Sequence, residues 1–212
     1  MNRTARFWDR VSEGYSKQPI ADEAAYQKKL EVTRDYLTSD MELLEFGCGT
    51  GSTAILHAPY VKHILAIDIS PKMIEIARGK AEAQGVENVT FEPSTLDEVE
   101  ASDHSLDAVL GLNILHLVDS KEAAIARVYE VIKPGGVFVS STVCLGDTKW
   151  RFLRYVAPVG RLIGLNLKVF AGNELKNSLV DAGFEIDYEW RPARGLALFL
   201  VAKKVARKPL GP

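Results

Sequence analysis

Cysteine is almost missing from this 212-residue chain, with Cys48 and Cys144 the only two. Two thiols cannot build a disulfide scaffold or an all-cysteine zinc site. Neither sign of charge dominates: 26 Lys and Arg against 28 Asp and Glu leave a net charge of −2. That excludes a wholesale nucleic-acid coat and makes nucleic acid an unexpected partner, although a local basic patch stays open. No stretch of 18 apolar residues occurs, so no membrane span is expected. The opening residues Met1-Asn2-Arg3-Thr4-Ala5-Arg6 lack the apolar core of a signal peptide, and the expected location is cytoplasmic. Repeats and low-complexity tracts are absent too. What is present is ordinary globular material, 47% hydrophobic and 25% charged, enough for a sizeable core.

Two periodicities alternate along it. Tyr26, Leu30, Thr33 and Leu37 recur at helical spacing within 20–38. The apolar run 41–46 breaks into Gly47-Cys48-Gly49-Thr50-Gly51, a strand followed by a glycine turn, and 52–60 continues as a helix. Residues 63–69 form a buried strand. Ser70 caps the next helix, Pro71 suits its first position, and Gly85 ends it. Strands are expected at 89–91, 106–112 and 136–142, with a helix over 119–132 stopped by Pro134-Gly135-Gly136. A helix at 172–182, with Asn173 as its cap, and a hairpin of strands at 184–190 and 195–203 close the chain.

Strands alternating with helices require crossovers. The expected fold is α/β, a doubly wound, Rossmann-like sheet of seven mainly parallel strands with an antiparallel closing strand and helices on both faces. One domain spans 1–205: a helical lid at 1–40, a ligand-binding core at 41–142, a substrate-lid insert at 143–171, and the closing helix and strands at 172–205. Residues 206–212 read as a loose tail.

In such sheets ligands bind beyond the carboxyl ends of the strands at the switch point, where residues 47–51 fall. Three glycines in five residues exceed what a tight turn needs and let a ligand approach the backbone. The dinucleotide fingerprint would place its third glycine at position 52, which is Ser52. The spacing G-x-G-x-G therefore disfavours a nicotinamide oxidoreductase. Asp68 ends the next strand about twenty residues on, where an acid can accept from both ribose hydroxyls. Turn and acid together imply a nucleoside ligand.

Residues 43–51, Leu-Leu-Glu-Phe-Gly-Cys-Gly-Thr-Gly, closely resemble the first motif of class I S-adenosylmethionine-dependent methyltransferases. Ala66-Ile67-Asp68-Ile69-Ser70, then Pro71, Met73 and Ala77, resembles their second strand and helix. Leu106-Asp107-Ala108-Val109 leading to Leu115-His116 is similar to their fourth strand, and residues 131–136 to the turn before their fifth. The match includes the small-molecule, quinone-biosynthesis-like members, whose aromatic opening resembles Phe7-Trp8-Asp9 to Tyr15. The resemblance implies S-adenosyl-L-methionine as cofactor. Glu45 and Gly47 would border its methionine end with Cys48 beside them, Gly49 and Gly51 would allow close approach, Asp68 would hold the ribose, and Ile69 and Met73 would lie at the adenine side. Where the family has Gly-Asp after its third strand, this chain has Ser94-Thr95, so Thr95, Leu96 or Asp97 would have to supply the adenine contact.

Methyl transfer from a sulfonium asks the protein mainly to orient the acceptor and exclude water. Asn113 and His116, just past the fourth strand, are the candidate catalytic residues, with His116 either a base or substrate-orienting group, or simply a buried or capping histidine. Asn113 is also placed against the cofactor. Cys48 reads as a small packing residue rather than a reactive thiol. No histidine has metal-ligand spacing with either cysteine, so no metal is expected.

The substrate side is placed in two segments. Tyr15 could close over the cofactor, or the N-terminal aromatics could simply cover the core. Residues 149–168 carry Lys149, Arg151, Arg154, Arg161 and Lys168 with no acid, interleaved with Trp150, Phe152 and Tyr155. Such an insert can bind an anionic, hydrophobic acceptor (a quinol, phenol or lipid-like molecule), or touch anionic lipid through 149–170, or act as a lid whose charges are solvated. Tyr15, His116, Trp150 and Arg154 are the candidate substrate contacts. The rival reading is a catalytically silent S-adenosylmethionine-binding sensor.

Overall fold

The computed structural model describes residues 3–149, 152, 160, 164–192 and 196–205. Seven strands form one sheet: β1 (Glu42–Phe46), β2 (His63–Asp68), β3 (Val89–Pro93), β4 (Leu106–Leu112), β5 (Ile132–Val143), β6 (Phe184–Trp190) and β7 (Ala197–Lys204). Their order is β3-β2-β1-β4-β5-β7-β6. Pairings from β3 across to β5 are parallel, and β7 runs antiparallel to both β5 and β6. The seven-stranded, mainly parallel sheet with one reversed closing strand is as the sequence implies.

Six α-helices accompany it among the described residues: α1 (Arg3–Ser16), α2 (Glu23–Arg34), α3 (Ser52–His57), α4 (Pro71–Ala83), α5 (Lys121–Val131) and α6 (Gly172–Asp181). None is long and apolar enough to cross a membrane. Strand residues alternate between faces, so a strand covered on both sides must be apolar throughout. Leu43 packs with Ile64, Leu110 and Val139 on the side of α3 and α4. Its neighbour Leu44 packs with Val109, Phe138 and Leu200 on the side of α5 and α6. This two-sided burial explains the continuous runs at 43–46 and 108–110.

Capping fixes the helix starts. Asp22 accepts from Ala25 N–H at 2.9 Å, Ser70 from Met73 N–H at 3.2 Å and Ser120 from Ala123 N–H at 3.1 Å. Ser70 and Pro71 thus act as the sequence suggests. Asn173 does not cap α6: the N-cap is Ala171, whose N–H is accepted by the Glu174 carboxylate at 3.0 Å. A carboxylate three residues into a helix reaches back to the cap amide, and Asp147 takes the following N–H, of Gly172. The helix expected over 20–38 is shorter because Asp22 starts it. The one expected over 52–60 tightens at Pro59 into a 3₁₀ turn, Ala58–Tyr60. Strand β5 begins four residues earlier than Gly136, since Ile132 already pairs with Leu106 before a register shift.

Candidate functional site

Strand β1 lies between β2 and β4, so the chain leaves it in opposite directions on its two sides and opens a crevice beyond the carboxyl ends. The glycine turn sits there, with φ of +67° at Gly47, +54° at Gly49 and +75° at Gly51, angles that side chains resist. The three are not equivalent. A Cβ on Gly47 would lie 2.6 Å from Ile114, and one on Gly51 would lie 2.7 Å from both Ala77 and Phe91. Those two glycines serve internal packing. A Cβ on Gly49 would meet only the Tyr15 ring, at 3.8 Å, so Gly49 is where backbone is bared to a ligand.

Asp68 ties this turn to the next helix. Its Oδ2 accepts from Gly49 N–H at 3.0 Å and its Oδ1 from Ser70 N–H at 2.9 Å. Burial raises its pKa, while these two hydrogen bonds pull the other way. Each oxygen keeps a lone pair for a further donor.

A cavity of about 320 Å³ occupies the crevice. Of the residues singled out in the sequence, Gly47, Gly49, Asp68, Ile69, Met73, Thr95, Leu96, Asn113 and Tyr15 line it together. Glu45, Cys48, Gly51 and His116 are not part of its wall. Trp150 and Arg154 fall outside the described residues. Cys48 is buried in the α3–α4 side of the core and burial pushes its thiol well up, which suits a packing residue. Glu45 is 2% exposed with Oε2 unpartnered, and burial raises its carboxyl to about 8.

Asn113 holds φ +58°, a strained angle for any residue but glycine, and its N–H donates to Ser141 O at 2.6 Å. The Ser141 hydroxyl reaches Asn113 Oδ1 at 3.5 Å and receives a 2.9 Å hydrogen bond from Lys29 on α2. His116 is 9% exposed, and burial lowers its imidazole to about 4. Its carbonyl accepts from Lys168 N–H at 2.8 Å, linking the loop after β4 to the end of the insert.

Helix α1 closes one side. Thr4, Trp8 and Tyr15 face the cavity from it, at spacings that share one helical face. Trp8 and Tyr15 meet edge to face at 6.4 Å, and Tyr15 stays 47% exposed. Asp9 fastens the helix: its Oδ1 accepts from Ser70 Oγ at 2.6 Å and Lys72 N–H at 3.2 Å at the start of α4.

Sequence reasoning missed Lys29, Asp119 and Asn166. Asn166 lies near the end of the insert and reaches the cavity through the fold, so no local pattern marks it. Among the described residues, the charged side chains lining the cavity are Asp68, Asp97 and Asp119. Three acids and a bared glycine backbone, with apolar walls at Ile69, Met73 and Leu96, fit S-adenosylmethionine, whose sulfonium and ammonium are cationic and whose ribose offers two donors.

The model of a family described as a methyltransferase domain matches residues 43–136. The uncharacterized methyltransferase YcgJ of Bacillus subtilis is 31% identical over 48% of this chain and 40% of its own length. The demethylmenaquinone methyltransferase of Tropheryma whipplei is 28% identical over 86% of this chain and 77% of its own. This chain therefore spans under half of the first relative and about three quarters of the second. The crystal structure of the Bacillus YcgJ protein superposes with a TM-score of 0.71 at 18% identity, covering 85% of this chain and 99% of that one, a likeness of fold.

Proposed function

We propose, from the premise that the chain belongs to the class I S-adenosylmethionine-dependent methyltransferases, that it methylates a small apolar acceptor carrying a nucleophilic oxygen, nitrogen or carbon. The observation that carries this reading is the cavity at the switch point, lined at once by Gly49, Asp68 and Asn113 and roofed by the α1 aromatics. When bound, S-adenosylmethionine would supply an activated methyl group on its sulfonium for transfer to the acceptor. The chain's residues do the rest. Asp68 accepts the ribose hydroxyls, and Gly49 gives the approach. Trp8 and Tyr15 exclude water. Asn113, held in its strained conformation by Ser141, orients the acceptor, while His116 supports the loop that carries Asn113.

Burial of His116 leaves its imidazole neutral at pH 7 and a weak base, which favours Asn113 as the residue nearer the chemistry. The homologous demethylmenaquinone methyltransferase supports a quinol-like acceptor. The test is a screen for S-adenosylhomocysteine release over quinols, phenols, amines and phospholipids. On the acceptor that responds, Asn113→Ala is expected to lower kcat by about tenfold or more, and His116→Gln by less than about threefold. A protein that binds the cofactor but turns over nothing in the panel would favour the silent sensor instead.

A further inference from the structure

One polar group in the cavity wall has no partner. Asn166 is 8% exposed and lines the cavity. Its Nδ2 donates to Leu117 O at 3.0 Å and to Asp119 Oδ1 at 3.1 Å. Both partners are acceptors, so the amide nitrogen must face them and the orientation of the side chain is settled by chemistry. That leaves Asn166 Oδ1 buried without a hydrogen bond. A buried carbonyl oxygen without a donor is costly, and such groups in native proteins mark a site completed by something else.

Its position identifies the missing donor. Asn166 is bonded to Asp119, which directly precedes Ser120, the cap of α5, and the start of α5 lines the cavity together with Leu96 and Asp97 of the loop after β3. Arg127 of α5 ties the two, donating to Val99 O and Ala101 O. Gly47 and Asn113 lie at the other end of the crevice, at β1 and β4, and Asp68 lies between at the tip of β2. A nucleoside whose ribose is held by Asp68 and whose sulfonium arm runs towards Gly47 must put its base at the Leu96 end. The hydroxyls of that loop are engaged locally: Thr95 gives both its N–H and its hydroxyl to Glu98 Oε2, and Ser94 Oγ donates to Thr95 O.

We infer that Asn166 Oδ1 reads the base, accepting a hydrogen bond from the exocyclic amine of adenine. This rests on the methyltransferase reading above and adds to it that a residue near the end of the insert, not the loop after β3, tells adenine from a 6-oxo purine.

The test compares binding of S-adenosylhomocysteine and S-inosylhomocysteine, in which the amine is replaced by a carbonyl that would oppose Oδ1. The wild-type protein is expected to prefer the adenosyl ligand by about tenfold or more. In Asn166→Leu and Asn166→Ala that ratio is expected to fall towards one. Asp97→Asn, at the same end, should leave it unchanged. Equal binding by the wild type overturns the inference without any variant. So does a ratio that survives in the Asn166 variants while both ligands weaken together, which would make Asn166 a support for the Leu117–Asp119 loop. A ratio that collapses in Asp97→Asn instead moves the contact there and overturns it too. Binding of neither ligand by the wild type overturns the methyltransferase reading itself, an outcome distinct from binding without preference.

Discussion

Asp68→Ala is expected to weaken S-adenosylmethionine binding by about a hundredfold or more, measured by titration calorimetry on the purified protein. The carboxylate does two jobs in the same place. It holds the turn by accepting from Gly49 and Ser70 N–H, and in the proposed reading its remaining lone pairs would accept from the ribose hydroxyls. Hydrogen bonds to a charged group contribute about 1.5–3 kcal/mol each, so losing two to a ligand accounts for a factor of that size. Asp68→Asn keeps the shape and one acceptor oxygen and should fall between the two. A wild-type affinity in Asp68→Ala would show that the nucleoside is held elsewhere.

The second large effect is on stability, and its two limbs have opposite signs. His57 and His116 are buried, and each is lowered from 6.5 to about 4, by burial first and, for His57, by the Arg34 guanidinium second. Below pH 6.5 the unfolded chain gains protons that the folded chain refuses, so stability falls as pH drops from 6.5 towards 4. Glu45 behaves in the opposite sense: burial raises it from 4.5 to about 8, so the folded chain keeps a proton that the unfolded chain releases. Its contribution is present below pH 4.5 and is lost as pH rises through about 8. Each group changes stability by about 1.4 kcal/mol per pH unit inside its window. The two histidines outweigh Glu45 below 6.5, and of these three groups only Glu45 acts above it. The ligand-free protein should therefore be most resistant to urea near pH 6.5. Glu45→Gln should flatten the alkaline limb, and His57→Leu or His116→Leu should each reduce the acid one. Unchanged limbs in these variants would assign the pH dependence to other groups.

The parts of the site that were legible in the sequence are those in which residue types must sit at fixed offsets along the chain. A glycine turn directly follows a buried strand, and an acid ends the next strand, because the strand ends fix where the turn backbone and the carboxylate stand. Even there, the chain pattern cannot separate Gly49, bared to the cavity, from Gly47 and Gly51, whose missing Cβ atoms leave room for Ile114, Ala77 and Phe91. The loop after β4 has no periodicity to read, and the side chain taken as a candidate base, His116, is buried while its neighbours Ile114 and Leu117 line the cavity. Asn166 was beyond reach for a different reason. Its partner Leu117 is 49 residues away, and no short-range signal joins them. For α6 the cap was misassigned because a carboxylate inside the helix, Glu174, does the work that Asn173 appeared suited to do.

Helix α1 buries only Ala5 and Ser12 fully, yet contributes Trp8 and Tyr15 to the roof of the cavity. It also packs against Gly164, where an added Cβ would lie 2.6 Å from Arg3 O. An element with so little buried surface opens at lower free energy than the sheet beneath it. The roof is thus a less stable layer than the sheet, and the Asp9 carboxylate is among the ties that hold it, through Ser70 and Lys72. Passage in and out would then be a matter of time rather than of space: a ligand beneath α1 would stay for as long as the helix stays down, and each opening would have to break the contact of Asp9 with Ser70.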